Sequence, residues 1–228
     1  MKYVIDFPAP TTLPVLESNA EFPVGRIYCV GRNYAEHARE MGHDPDREPP
    51  FFFMKPANAI VPNNATIPYP QATKDLHHEI ELVVAIGRGG SAIASDDALD
   101  HVFGYAVGND LTRRDLQAAA RESGKPWDVA KGFDRSAPVS AIHPVSDVGH
   151  PRRGAIWLKV NGEARQQADL AEMIWNVPEI IAELSTYYTL VAGDLIFTGT
   201  PAGVGAVRRG DALEGGIDGL GILRTRIE

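Results

Sequence analysis

The sequence predicts an α+β fold that is β-rich: sheets rolled or sandwiched rather than doubly wound, with few and short helices. Three observations carry this expectation. Apolar residues alternate at period two over short runs, most clearly Ile80, Leu82, Val84 and Ile86. Turn formers are frequent and dispersed, with 22 glycines and 17 prolines spread along 228 residues rather than gathered in a linker. Helix-start chemistry appears only ahead of a few short stretches, after Asn33, Thr112 and Asn176.

Taken in order, the stretch to Pro23 is punctuated by prolines and reads as irregular or edge-like. Residues 1–24 are accordingly expected to be an extension, and 25–228 the domain proper. A strand over 26–30 stops at Gly31, and Asn33 is placed to cap a helix over 34–41. Phe51-Phe52-Phe53-Met54-Lys55 reads as a buried strand ended by Pro56. A strong strand is expected over 77–86 and another over 102–109. Thr112 and Asp115 stand at cap and third-position spacing, opening a helix to Glu122 that Gly124 and Pro126 stop. Asn161-Gly162 joins 155–160 to 163–167 as a two-residue hairpin. Asn176 and Pro178 begin a helix with Ile180, Ile181, Leu184 and Tyr188 on one side. A strand over 194–198 leads into a glycine-rich segment over 199–221.

Composition narrows the class. Hydrophobic residues make up 44% and charged residues 23%, which suits a packed globular domain and excludes disorder as the main state. A formal net charge of −8 argues against nucleic acid or an anionic membrane as partner. The single cysteine, Cys29, leaves no intrachain disulfide and argues against a cysteine-based zinc site. No secretory signal and no apolar stretch of about 18 residues is seen, so the expected location is the cytoplasm. The glycines over 199–205 lack the Gly-Lys-Ser/Thr ending of a phosphate loop, and no G-x-G-x-x-G or G-x-S-x-G motif occurs.

Four groups of residues could carry chemistry. Glu79 and Glu81 are two apart on a strand, so both point to one face with Cα atoms about 7 Å apart. They are either two solvated glutamates or a site for a hard cation such as Mg²⁺ or Mn²⁺, to which Asp110 would add a third oxygen. His37 and Glu40 share a helix face as a steered general base or as a plain surface pair. Lys131 either stabilises a developing oxyanion or pairs with Asp134 at the surface. Thr198-Gly199-Thr200-Pro201 is a tight turn suited to a carboxylate, or simply the end of a strand. Tyr28, Phe51 to Phe53 and Trp175 read as core.

The chain resembles the fumarylacetoacetate hydrolase family in its short single-domain form. The likeness rests on an ordered set of segments: Val30-Gly31-Arg32-Asn33-Tyr34 with His37 and Glu40; Phe53-Met54-Lys55-Pro56; His78-Glu79-Ile80-Glu81-Leu82; Asn109-Asp110 through Gln117; Lys131-Gly132-Phe133-Asp134; and Gly193-Asp194 through Gly205. The resemblance implies mixed β-sheets in a roll and a homodimer. It implies Glu79, Glu81 and Asp110 as ligands of one Mg²⁺ or Mn²⁺ per subunit, and His37 with Glu40 as the water-activating pair. Lys131 falls beside the scissile carbonyl, and Arg114, Gln117 and Thr200 at the pyruvyl end of the ligand, with Arg32 a further carboxylate contact. The activity implied is metal-dependent hydrolysis of the C–C bond of a 2,4-dioxo acid. Residues 124–134 and 169–175 look most like bacterial members that cleave fumarylpyruvate to fumarate and pyruvate in gentisate-type aromatic catabolism. Acylpyruvate hydrolysis and oxaloacetate decarboxylation or tautomerisation on the same metal site are the alternatives, followed by a non-catalytic metal-binding homologue.

Overall fold

Two mixed sheets face each other across the main apolar core of the protein, whose computed structural model describes residues 4–6, 9–36 and 49–228. The larger, eight-stranded sheet runs Phe51–Lys55, Ile27–Gly31, Leu195–Phe197, Ile80–Ile86, Val102–Asn109, Ala137–Val139, Ile60–Pro62, with His143–Pro144 also paired to Val102–Asn109. The second, five-stranded sheet runs Glu163–Asp169, Ala155–Val160, Ala212–Ile217, Ile222–Ile227, Ala65–Ile67. Parallel pairs occur beside antiparallel ones in both, as Leu195–Phe197 with Ile27–Gly31 and Ile222–Ile227 with Ala65–Ile67 illustrate. The β-rich class read from the sequence is the class observed.

Period-two alternation explains how one strand serves two purposes. All seven residues of Ile80–Ile86 are buried. Ile80, Leu82, Val84 and Ile86 enter the core shared with Ile156, Leu158, Leu213 and Ile217 of the facing sheet. Val83 and Ala85 point the other way, into a second core with Ile27, Cys29, Ala106 and Phe197. Glu81 and Glu79 lie at the open end of that same second face. The Val177–Tyr187 helix closes the first core with Ile180, Ile181 and Leu184. Its Asn176 cap and Glu179 form the reciprocal capping box.

Several expectations hold with shifted limits, and some do not. The strand expected over 77–86 is broken at Glu79: Leu76–His78 pairs with Thr112–Arg113 and Gly205–Val207 in a separate three-stranded sheet. The ladder is interrupted because the Asn109 side chain, not a backbone carbonyl, takes the Glu79 N–H at 2.9 Å. Thr112 does not cap the Arg114–Glu122 helix; its hydroxyl donates to the Asp110 carbonyl at 3.0 Å. The Asp115 carboxylate turns away to Thr73 and the Lys74 N–H. Asn33 holds Trp175 through both its amide atoms, and most of the helix expected over 34–41 lies outside the described residues. Phe51–Lys55 is an edge strand beside a cavity, so Phe51 and Met54 are exposed rather than buried. The segment before Pro23 forms a hairpin, Thr12–Pro14 with Glu21–Pro23, because Leu13 and Phe22 bury against the second core. Tyr188 terminates the last helix instead of lying along it. The Asn161-Gly162 turn is as read, with both residues at positive φ.

Gly108 is the backbone partner of Glu81, and a Cβ there would lie 2.4 Å from Val83 Cγ2 and 2.7 Å from Phe197 Cε1. Gly108→Ala is therefore expected to destabilise the fold by about 1–3 kcal/mol through overpacking. A urea unfolding midpoint equal to that of the wild type would refute the tight fit.

Candidate active site

The break in the strand at Glu79 builds the site. The Glu79 carbonyl accepts the Asp110 N–H at 2.8 Å, which draws the residue after Val102–Asn109 alongside it. Glu81 follows two residues on, along the same face. Glu79, Glu81 and Asp110 are all buried, and one carboxylate oxygen from each lies within 4.8 Å of the other two. Three such groups repel one another unless cations stand among them.

The chain supplies three. Lys131, at the end of the Asp128–Lys131 helix, donates to Glu79 Oε2 and Asp110 Oδ2, both at 2.7 Å. Its Nζ also stands 5.0 Å from the centroid of the Phe53 ring. Lys131 is thus buried and does not pair at the surface with Asp134, which is exposed. Lys55 comes within 2.8 Å of Asp110 Oδ1 from behind. The rest of its ammonium is taken by Ser136 Oγ at 2.9 Å and by the Leu111 and Lys131 carbonyls. Arg114 donates to Glu79 Oε1, to Gln117 Oε1 and to His77 Nδ1. His77 in turn gives its Nε2 proton to Asp75 Oδ1 at 2.9 Å, so Arg114 is held from three sides.

Burial pushes the Glu81 carboxyl well above the ordinary carboxylate range, and the charges of Asp110 and Glu79 add to it. The Gly199 N–H, 2.7 Å from Glu81 Oε2, works in the opposite sense. Burial alone would lower the Lys131 ammonium, but Asp110 and Glu79 outweigh it and the net shift is upward. Lys55, equally buried, is shifted down by desolvation that Asp110 only partly offsets. Lys131 is therefore the firmly charged lysine at the cavity.

The donor set fits a hard divalent cation. All three converging groups are carboxylates, and one oxygen of each lies within 4.8 Å of the others, the hard oxygen donors such an ion takes. Glu79, Glu81 and Asp110 are the residues that would hold the ion.

A buried glutamine ties this centre to the neighbouring loop. Gln166 Oε1 accepts from His78 Nδ1 at 2.8 Å and from the Ile80 N–H at 3.1 Å, on either side of Glu79. Its Nε2 donates to Thr200 Oγ1 and the Pro201 carbonyl, both at 2.8 Å. The Thr200 hydroxyl passes its own proton to the Ile80 carbonyl, leaving a lone pair rather than a proton to offer a ligand. The loop requires glycine at 199, where φ is +94° and a Cβ would stand 2.7 Å from Asn33 Cβ.

Arg32, Glu79, Glu81, Arg114, Gln117, Lys131 and Thr200 all line one cavity of about 90 Å³. Asp110 lies directly behind it, at 0% exposure. His37 and Glu40 lie outside the described residues. Phe53 and Trp127 form the apolar wall. Four contributors were not assigned a role from the sequence. Lys55 ends an apolar strand and was noted only as part of a motif. Gln166 sits in a polar strand that reads as a solvent face. Phe53 was read as core, and Trp127 carried no assignment. A lone lysine closing the run Phe51-Phe52-Phe53-Met54 is the one signal that could have been followed.

Replacing Gln166 with leucine strands the Ile80 N–H and the Pro201 carbonyl. Gln166→Leu is expected to cost about 2–4 kcal/mol of stability and to weaken Mn²⁺ binding several-fold. Urea unfolding and metal titration of the same sample check both; a variant with native metal affinity would show that Gln166 does not position Glu79.

Comparison with known proteins gives a consistent picture. The family model described as fumarylacetoacetate (FAA) hydrolase C-terminal matches residues 26–228. A crystal structure of fumarylpyruvate hydrolase from Pseudomonas aeruginosa, in complex with Mn²⁺ and pyruvate, is 55% identical, with each chain covered to 99% and a TM-score of 0.97. A fumarylpyruvate hydrolase from Ralstonia sp is 47% identical over 182 residues, 79% of this chain and 94% of that protein. A mitochondrial oxaloacetate tautomerase from Rattus norvegicus is 46% identical over 202 residues, 89% of this chain and 91% of that protein.

Proposed function

The chain belongs to the fumarylacetoacetate hydrolase family, and from that premise we propose that it is a metal-dependent C–C bond hydrolase. Its substrate in this reading is the 2,4-dioxo acid fumarylpyruvate, and its products are fumarate and pyruvate. The observation that carries the proposal is the single cavity shared by Glu79, Glu81, Lys131, Arg114 and Gln117, in a chain so similar to a hydrolase crystallised with Mn²⁺ and pyruvate. The same proposal has the enzyme homodimeric and cytoplasmic, acting late in gentisate-type aromatic catabolism.

The reaction adds water across C3–C4, with hydroxyl to C4 and hydrogen to C3. A Mg²⁺ or Mn²⁺ ion held by Glu79, Glu81 and Asp110 supplies Lewis acidity toward the pyruvyl end. Arg114 and Gln117 bind the pyruvyl carboxylate, with Arg32 as a further contact. Arg114 meets it already oriented by Glu79, Gln117 and His77, so little freedom is lost on binding. Thr200, its hydroxyl proton committed to Ile80, contributes through its backbone N–H. Lys131 stays charged beside Glu79 and Asp110 and offsets the negative charge that grows on the C4 oxygen. His37, steered by Glu40, takes the proton of the attacking water, a role that rests on the resemblance. Phe53 and Trp127 keep bulk water from the reacting carbons.

Oxaloacetate tautomerisation is the second reading, favoured by the 46% identity to a protein with that name. It moves a proton and needs no activated water, but a base such as His37 serves either reaction, so the two readings separate on which substrate is turned over.

With Mn²⁺ or Mg²⁺ present, the ultraviolet absorbance of fumarylpyruvate should fall with stoichiometric release of pyruvate and fumarate, and a chelator should stop it reversibly. Faster loss of oxaloacetate than of fumarylpyruvate would select the second reading. His37→Ala is expected to lower hydrolysis by roughly 10²–10⁴-fold while retaining Mn²⁺ binding. Glu81→Gln should remove metal-dependent turnover with the circular dichroism spectrum kept, and full activity in that variant would exclude Glu81 as a ligand.

A further inference from the structure

We propose that Arg121 selects substrates whose acyl chain ends in a second carboxylate, by binding that carboxylate at the mouth of the cavity. The inference rests on the hydrolase reading above and assigns the end of the substrate that reading leaves unheld.

The Arg114–Glu122 helix acts as a ruler. Arg114, Gln117 and Arg121 are spaced by three and four residues, so they share one face, and all three line the inner cavity. Arg114 is anchored at Glu79, the metal end. Seven residues on, at 1.5 Å each, Arg121 stands about 10 Å further along the axis. An extended seven-carbon dioxo-dicarboxylic acid has its terminal carboxyl carbons about 7–8 Å apart with C–C bonds near 1.5 Å. A ligand with one carboxylate at Arg114 therefore presents the other near Arg121.

The passage between the two ends suits a flat conjugated chain. Arg121 also lines an adjoining, wider cavity of about 620 Å³, so it stands at the seam between the two. Trp127 meets Phe51 edge-on at 4.9 Å and Phe53 at 5.7 Å, walling that seam with aromatic faces. Among the described residues the charge there is positive on balance: Arg32, Arg121 and Lys125 against Asp128.

Arg121 and Lys125 both keep uncommitted side-chain cations among the described residues, and of the two only Arg121 also lines the inner cavity. Arg114 is engaged by Glu79, Gln117 and His77, and Lys131 by Glu79 and Asp110. Arg32 has contacts of its own. The Arg121 guanidinium makes no hydrogen bond or ion pair among the described residues, and its flat fork matches a carboxylate.

The test compares two substrates on the Mn²⁺-loaded enzyme: fumarylpyruvate, and acetylpyruvate, which carries a methyl group in place of the distal acid. In Arg121→Gln the ratio of kcat/KM for fumarylpyruvate to that for acetylpyruvate should fall roughly tenfold or more, mainly through KM. Arg121→Lys should recover part of the ratio. Inhibition of acetylpyruvate hydrolysis by fumarate should weaken in Arg121→Gln, whereas inhibition by crotonate, which lacks one carboxylate, should shift little. A wild type that cleaves fumarylpyruvate beside an Arg121→Gln variant with the wild-type ratio overturns this inference and leaves the hydrolase reading standing. Equal loss on both substrates also overturns it. A wild type inert toward fumarylpyruvate overturns the hydrolase reading and this inference with it.

Discussion

Three carboxylates buried within 4.8 Å of one another are the condition the rest of the molecule answers to. An isolated buried carboxylate is costly, and three together would take up protons instead of staying charged. Lys131, Lys55 and Arg114 supply the compensation, and each is placed by a different element: a short helix, an edge strand and the start of the Arg114–Glu122 helix. Removing one partner from such a group leaves its opposite charge stranded, so the parts are retained or lost together. The apolar architecture exists around this polar inclusion. The same strand that fills the main core with Leu82 and Val84 turns Glu81 out of it.

Much of this was legible because strand periodicity is a local property. Ile80, Leu82, Val84 and Ile86 announce one face, which assigns Glu79 and Glu81 to the other without reference to anything distant. The Asn161-Gly162 turn and the Asn176 capping box were readable for the same reason. What failed depended on which of several partners a side chain takes, whether two residues away or far along the chain. Thr112 has the right spacing for a cap, yet the Asp110 carbonyl takes its proton. Gln166 lies in Glu-Ala-Arg-Gln-Gln-Ala, which looks like a solvated strand, because the contact that buries it is with His78, 88 residues earlier. Phe51 to Met54 looked like core because apolar character does not say whether a strand is central or at an edge. The order of the acidic, basic and glycine-rich segments added what single residues could not, since it tied Asp110 and Lys131 to one site.

The cavity divides into a part that is fixed and a part that is free to vary. At the inner end nearly every polar atom has a partner, so Arg114, Gln117 and Thr200 are held in set orientations. At the outer end the walls are rings and an uncommitted arginine, and neither Phe53 nor Trp127 is tied by a network of comparable density. A scaffold of this form can keep its inner end fixed while the lining of its outer end changes.

Strand order carries one last consequence. Leu195–Phe197 lies between Ile27–Gly31 and Ile80–Ile86 in the large sheet, so the centre of the N-terminal half is filled by residues made late. On the ribosome, the first 190 residues have a gap where their middle strand belongs, and the Gly199 N–H that donates to Glu81 follows two residues after that strand. Contacts of such long sequence separation form slowly, because loop closure precedes any gain from pairing. The acidic centre is thus complete only after Leu195–Phe197 has paired, well after Glu79, Glu81 and Asp110 themselves are made.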